Sequence, residues 1–125
     1  MSGEDILLDS VILIDHLNGV EKATTYLRQV REKGHVSAIT RAEVLAGIDN
    51  AKAGPVRTLL DAFPLVVIDG PIADLAAELR RRYRLRLPDA IQAAAATHHG
   101  LKLATRNTRD FPPRRFDFVV VPYTI

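Results

Sequence analysis

The sequence predicts an α/β protein, a three-layer α/β/α sandwich with a central parallel sheet. Three observations predict it. Short runs such as Ile6-Leu7-Leu8 and Leu65-Val66-Val67-Ile68 are apolar at every residue, as strands covered on both faces are. Between such runs, apolar residues recur at helical spacing. The two patterns alternate along the 125 residues, which is how a doubly wound sheet reads. With 47% hydrophobic and 26% charged residues and no repeat or linker, residues 1–125 are expected to form a single domain.

The elements follow in order. Ile6-Leu7-Leu8 is the first strand and ends at Asp9; Asp9-Ser10 suits the cap of a following helix. Val36, between His35 and Ser37, marks a second strand. Thr40 to Ala51 then places Val44, Leu45 and Ile48 on one helical stripe. Leu65 to Ile68 is the third strand. Pro71 suits a helix start, and Ile72, Leu75, Ala76 and Leu79 share one face after it. Pro88 opens another helix, in which Ile91, Ala94 and Ala95 share a face and Ala93 to Ala96 permit close packing. Leu101–Ala104 and Phe118–Val121 are the last two strands.

Several classes of protein are excluded or unsupported. There is no Cys, hence no disulfide framework, thiolate metal site or Cys nucleophile. The longest stretch free of Asp, Glu, Lys and Arg, Ala90 to Leu101, is too short to span a bilayer. The acidic start Met1-Ser2-Gly3-Glu4-Asp5 does not read as a signal peptide, so a soluble cytoplasmic protein is expected. No G-x-G-x-x-G, P-loop or G-x-S-x-G motif occurs. The four His lack zinc-site spacing; His98-His99 reads as an exposed helix end, because adjacent helical residues point apart.

In a doubly wound sheet, ligands bind beyond the carboxyl ends of the strands. Four acids fall at such junctions. Asp9 ends the first strand, Glu43 lies in the first helical turn after the second, Asp89 opens the Pro88 helix, and Asp110 follows the fourth strand. No local geometry joins residues so far apart; only a parallel sheet would gather them on one rim. Carboxylates gathered there repel one another, and a hard divalent cation such as Mg²⁺ or Mn²⁺ relieves that. Such a cation also activates water and holds phosphoryl oxygens, which suggests phosphodiester hydrolysis. Each acid equally suits a local role: Asp9 as a cap, Thr40-x-x-Glu43 as a capping box, Asp89 at a helix dipole, Asn107-x-x-Asp110 as a turn.

The net charge of +2 is unevenly distributed. Arg80, Arg81, Arg82, Arg84 and Arg86 lie within seven positions, and the rest of the chain is net acidic. The cluster suits a polyanion such as RNA or, equally, a solvated helix end. Tyr26, Tyr83 and Tyr123 are too scattered in sequence to define a stacking platform. Asp15 is open between a surface position and the rim.

At this point a resemblance emerges. Ile6–Asp15, Ser37–Gly47, Leu87–Ala95 and Leu103–Phe111 resemble, in order and spacing, the four motifs of PIN-domain ribonucleases of the VapC toxin type. The resemblance covers nearly the whole chain. It implies a PIN-like fold, a Mg²⁺- or Mn²⁺-dependent endoribonuclease acting on structured RNA such as tRNA or rRNA, a cognate antitoxin and a homodimer. Carried onto this chain, it implies Asp9 and Asp89 as direct metal ligands, with Glu43 and Asp110 completing the quartet directly or through water. Ser10, Thr105 and Asn107 become neighbouring polar groups. Arg106 is implied either at the scissile phosphate or in a rim salt bridge. Cleavage is implied to leave a 5′-phosphate and a 3′-hydroxyl. Two departures stand out: Val11 follows Ser10 where relatives often carry a small polar residue, and Asn107 stands where some carry an acid. Two other readings remain, a PIN-like module that binds RNA or a partner without catalysis, and a phosphoacceptor domain using Asp69.

Overall fold

In a computed structural model, residues 4–125 are described; Met1, Ser2 and Gly3, read above as part of the acidic start, lie outside the described residues. The strands are β1 (Ile6–Leu8), β2 (Gly34–Ser37), β3 (Leu65–Val66), β4 (Lys102–Ala104) and β5 (Val119–Val120). All pairings are parallel, in the order β3-β2-β1-β4-β5. Leu7 pairs with His35 on one side and Leu103 on the other. The chain leaves β1 toward β2 and later returns to its other side as β4, and that reversal opens a crevice beyond Leu8 and Ala104.

The helices are α1 (Ser10–Leu17), α2 (Glu21–Gln29), α3 (Ala38–Ala46), α4 (Ala53–Asp61), α5 (Gly70–Tyr83) and α6 (Leu87–His99). Successive strand residues point to opposite faces, so each strand feeds two cores. Ile6, Leu8, Val36 and Ala104 pack with Ile12, Leu13, Leu27, Val44, Val56 and Leu60 from α1–α4. Leu7, Val66, Leu103 and Val119 pack with Ile72, Ala76 and Ala93–Ala96 from α5 and α6. The sandwich is three-layered, as the alternating pattern predicted. Ala93 to Ala96 have no exposed surface, so α6 lies close on the sheet.

The structure corrects several local readings. The first helix after β2 runs Ala38–Ala46, not Thr40–Ala51. Ser37 is its cap, with Oγ accepting from the Thr40 N–H at 3.1 Å, so Thr40-x-x-Glu43 is not a capping box. Glu43 consequently stands in the second turn of α3 rather than the first. The third apolar run is not covered on both faces: only Leu65 and Val66 form a strand, at the edge of the sheet, rather than Leu65 to Ile68, and Leu65 and Val67 are 51% and 62% exposed. Helices α2 and α4 were not anticipated. Asp69 caps α5, its Oδ1 accepting from the Ile72 N–H at 3.1 Å.

Candidate active site

The crevice is built around Asp9. Its backbone N–H donates to the Ala104 carbonyl at 3.0 Å, extending the β1–β4 pairing by one step and fixing where the side chain starts. Its Oδ1 accepts from the Ser10 N–H at 2.9 Å and from Gln92 Nε2 at 3.1 Å; its Oδ2 accepts from the Thr105 hydroxyl at 2.7 Å. Asn107 N–H donates to Thr105 Oγ1 at 3.0 Å, so the loop after β4 is tied to the same group. The cap predicted at Asp9 forms, and the same carboxylate belongs to the crevice.

Gln92 is the residue the sequence analysis missed. It is buried on α6, one turn after Asp89, and bonds with three other elements. Besides Asp9, its Nε2 donates to Thr40 Oγ1 at 2.6 Å, and its Oε1 accepts from the Ser37 hydroxyl. Thr40 Oγ1 in turn donates to the Leu8 carbonyl at 3.4 Å. Among the described residues no buried side-chain polar atom lacks a partner. Such a fully satisfied network holds one geometry, because any displacement leaves a buried group unpaired.

Asp9, Glu43 and Asp89 line one open cavity of about 370 Å³, together with Ser10, Asn107 and the arginines Arg86, Arg106 and Arg109. Asp110 lines an adjoining cavity of about 390 Å³, which shares Arg86, Asn107 and Arg109 with the first. The Asn107–Asp110 turn forms as well: Asn107 Nδ2 donates to Asp110 Oδ2 at 2.9 Å. Burial pushes the Asp89 carboxyl above the usual carboxylate range; Arg86 opposes the shift, and the charges of Asp110 and Asp9 add to it. Burial likewise raises Glu43, against a Ser10 hydrogen bond and Arg86, with Asp9 and Asp89 adding. Asp89 therefore feels the charges of Asp9 and Asp110, and Glu43 those of Asp9 and Asp89.

Among the described residues, no three acidic or histidine side chains stand close enough to hold one ion together. The donor set nevertheless suits a hard divalent cation: it is all oxygen, under-neutralised and open to water. Mg²⁺ typically takes one or two carboxylates and keeps several waters.

The arginines divide. Arg106 forms the rim salt bridge, Nε and Nη2 donating to Asp15 at 2.6 and 2.9 Å. Asp15 is buried and also accepts from the Tyr123 hydroxyl at 2.8 Å. Arg109 lines both cavities and makes no ion pair among the described residues. Arg86 Nε reaches Asp89 Oδ2 at 3.4 Å while its side chain remains 76% exposed. Arg80 and Arg82 line neither cavity; Arg80 Nη1 donates to the Leu85 carbonyl at 2.9 Å. His98 and His99 are exposed at the end of α6, as expected.

The family model of the PIN domain matches residues 6–117. This chain belongs to the PIN-domain family. It is 35% identical over 127 aligned residues to Ribonuclease VapC10 of Mycobacterium tuberculosis, covering 96% of this chain and 94% of that one. It is 30% identical to Ribonuclease VapC19 of the same organism over 85% of this chain and 91% of that one. Among solved structures, a toxin–antitoxin complex from Klebsiella pneumoniae matches with a TM-score of 0.90 and 38% identity, covering 97% of this chain and all of that one. The crevice described above lies within the matched PIN domain.

Proposed function

We propose that this chain is the ribonuclease toxin of a toxin–antitoxin pair, hydrolysing RNA phosphodiester bonds with the help of Mg²⁺ or Mn²⁺. The observation that carries the reading is the cavity shared by Asp9, Glu43, Asp89 and two arginines at its rim: Arg109, which makes no ion pair among the described residues, and Arg86, which reaches Asp89 but stays 76% exposed. The named ribonucleases to which the chain is similar support the activity. The similar toxin–antitoxin complex supports a cognate antitoxin as partner. A homodimer, a cytoplasmic location, a single domain over residues 1–125 and a tRNA or rRNA target complete the reading.

In this reading Asp9 and Asp89 would hold the cation directly, and Glu43 and Asp110 would complete the quartet directly or through water. The bound cation neutralises phosphoryl oxygens and acidifies water. The chain's own residues do the rest. Gln92, Thr105 and the Ser10 N–H hold both Asp9 oxygens in place; Oδ1 accepts two hydrogen bonds and Oδ2 one, which leaves a lone pair on Oδ2 for the cation. Asn107 positions Asp110. Arg86 and Arg109 steady the phosphate from the rim. Arg106 keeps both Nη1 hydrogens and one on Nη2 for RNA, because Asp15 holds the other two donors.

The test is cleavage of total RNA by the purified chain. EDTA is expected to abolish it and Mg²⁺ or Mn²⁺ to restore it. The Asp9→Asn, Asp89→Asn double variant is expected to bind RNA without cutting it. Unimpaired cutting by that variant would remove the catalytic assignment, and intact RNA under all conditions would leave a binding module.

A further inference from the structure

Tyr83 is isolated in sequence but not in the fold. Its ring lies 4.9 Å from Phe116 in an edge-to-face pair, and Phe116 lies 5.7 Å from Phe118. These rings, with Leu85, Thr97 and Arg115, line a pocket of about 200 Å³ on the α5–α6 side of the sheet. Leu85 and Phe116 are buried, Tyr83 and Phe118 half-buried, and Thr97 and Arg115 exposed, so the pocket has an apolar floor and a polar mouth. Its volume falls below the ~300–1,000 Å³ of sites for drug-sized ligands, which limits it to one flat ring system.

The charge around the mouth is mainly positive; Asp117 is the acid that lines the pocket. The Arg115 guanidinium carbon lies 5.0 Å from the Tyr83 ring centre and 5.9 Å from that of Phe116, and the Arg82 carbon lies 5.4 Å from Tyr83. Arg81, Arg84 and Arg114 are exposed nearby in sequence, and none of these arginines forms an ion pair among the described residues. The pocket and the acidic crevice share no lining residue but meet at the α5–α6 turn. Leu85 lines the first and Arg86 the second, so consecutive residues of the α5–α6 turn separate the two openings. Arg84, in the left-handed region at φ 56°, makes that turn tight, and the Arg80 bond to the Leu85 carbonyl holds it. Aromatic walls bordered by arginines, beside a site for phosphate, match a polyanion that carries stackable rings.

We propose that this pocket receives an unpaired base of the RNA whose backbone enters the acidic crevice. The inference rests on the ribonuclease reading for its ligand and extends it to recognition: the substrate must present an unstacked base near the cleaved bond, as a loop or bulge does. Arg115 and Arg82 carry the flanking phosphates, and Tyr83 and Phe116 contact the ring.

The test compares two fluorescent probes in EDTA, so that nothing is cut: an oligouridylate and an abasic oligomer of equal length. The oligouridylate is expected to bind the full chain about tenfold more tightly, the low end of what stacking one base contributes. Thr97→Trp, which fills the mouth from an exposed helical position, and Arg115→Ala are both expected to abolish that difference. Equal affinity for the two probes, or binding of neither, overturns the proposal. So does a Thr97→Trp variant that changes from dimer to monomer while keeping its preference, since the pocket would then be a subunit contact. Cleavage of total RNA with Mn²⁺, measured alongside, separates the two readings. Cutting without base preference discards the pocket alone. Base preference without cutting discards the nuclease and keeps the pocket.

Discussion

Gln92 Nε2 donates to Asp9 Oδ1 at 3.1 Å, joining the middle of α6 to the end of β1 across 83 positions of sequence. Asp9 and the Leu8 carbonyl are pure acceptors, so the amide nitrogen must face Asp9 and Thr40 while its oxygen faces Ser37. The orientation of a carboxylate at the centre of the crevice thus depends on a neutral side chain that never touches substrate. Gln92→Leu removes those bonds and leaves the buried hydroxyls of Ser37 and Thr40 with one partner each. It is expected to lower stability by about 2–3 kcal/mol and cleavage by about 10–100-fold. Urea unfolding and RNA cleavage check the two effects; wild-type activity in this variant would show that Asp9 needs no such support.

Asp89 and Glu43 carry charge that the cation-free fold disfavours. Their carboxyls lie above the ordinary range, so they bind protons more readily folded than unfolded, and stability declines as pH rises through that range. Asp89→Asn removes this penalty. The cation-free variant is expected to be about 0.5–1 kcal/mol more stable at neutral pH and a few degrees higher in Tm, while losing cleavage. Calorimetry in EDTA measures it; a lower Tm would mean that Asp89 is structural.

Asp15 behaves in the opposite way. The Arg106 hydrogen bond holds its carboxyl below the usual range; burial opposes this, and the Tyr123 hydroxyl and the Arg106 charge assist. Its contribution is full above the ordinary carboxylate pKa of about 4 and fades as pH falls through that value and below it. Arg106 is 34% exposed, so water screens part of the pair, and Asp15→Asn is expected to cost about 1–2 kcal/mol at neutral pH. The gap from wild type should close on acidification. A gap that stays constant in acid would contradict the charged pairing.

Gly34 opens β2 where Phe63 crosses it. A Cβ there would lie 2.9 Å from Phe63 Cδ1 and 3.2 Å from the Val30 carbonyl oxygen. Gly34→Ala is expected to destabilise the fold by about 1–3 kcal/mol through displacement of the ring. An unchanged urea midpoint would show that Phe63 moves aside freely.

Legibility from sequence varied with how local the physics was. Asp9, Asp89 and the parallel sheet were readable because strand ends and apolar runs carry their own pattern. Gln92 was not: one amide in an alanine-rich helix has no signal beyond standing one turn after Asp89. The Thr40-x-x-Glu43 pattern misled because Ser37, at the strand's last residue, starts the helix earlier. Helix α2 buries only Ala23 and Leu27, too little for a visible stripe, and α4 carries Gly54-Pro55 in its first turn, which reads as a break. Leu65 and Val67 looked like core because composition shows neither that β3 lies at the edge of the sheet nor that it ends at Val66. Tyr83 looked solitary because its aromatic neighbours lie more than thirty residues away.

The cation itself is the decisive object. Crystals of the chain grown or soaked with Mn²⁺ and measured at the manganese absorption edge locate the ion without reference to activity. The account predicts an anomalous peak in the crevice, bonded to Asp9 and Asp89, that disappears in the Asp9→Asn, Asp89→Asn variant. A fully bound ion elsewhere on the molecule, or a crevice that stays free of manganese at saturating concentration, would contradict it.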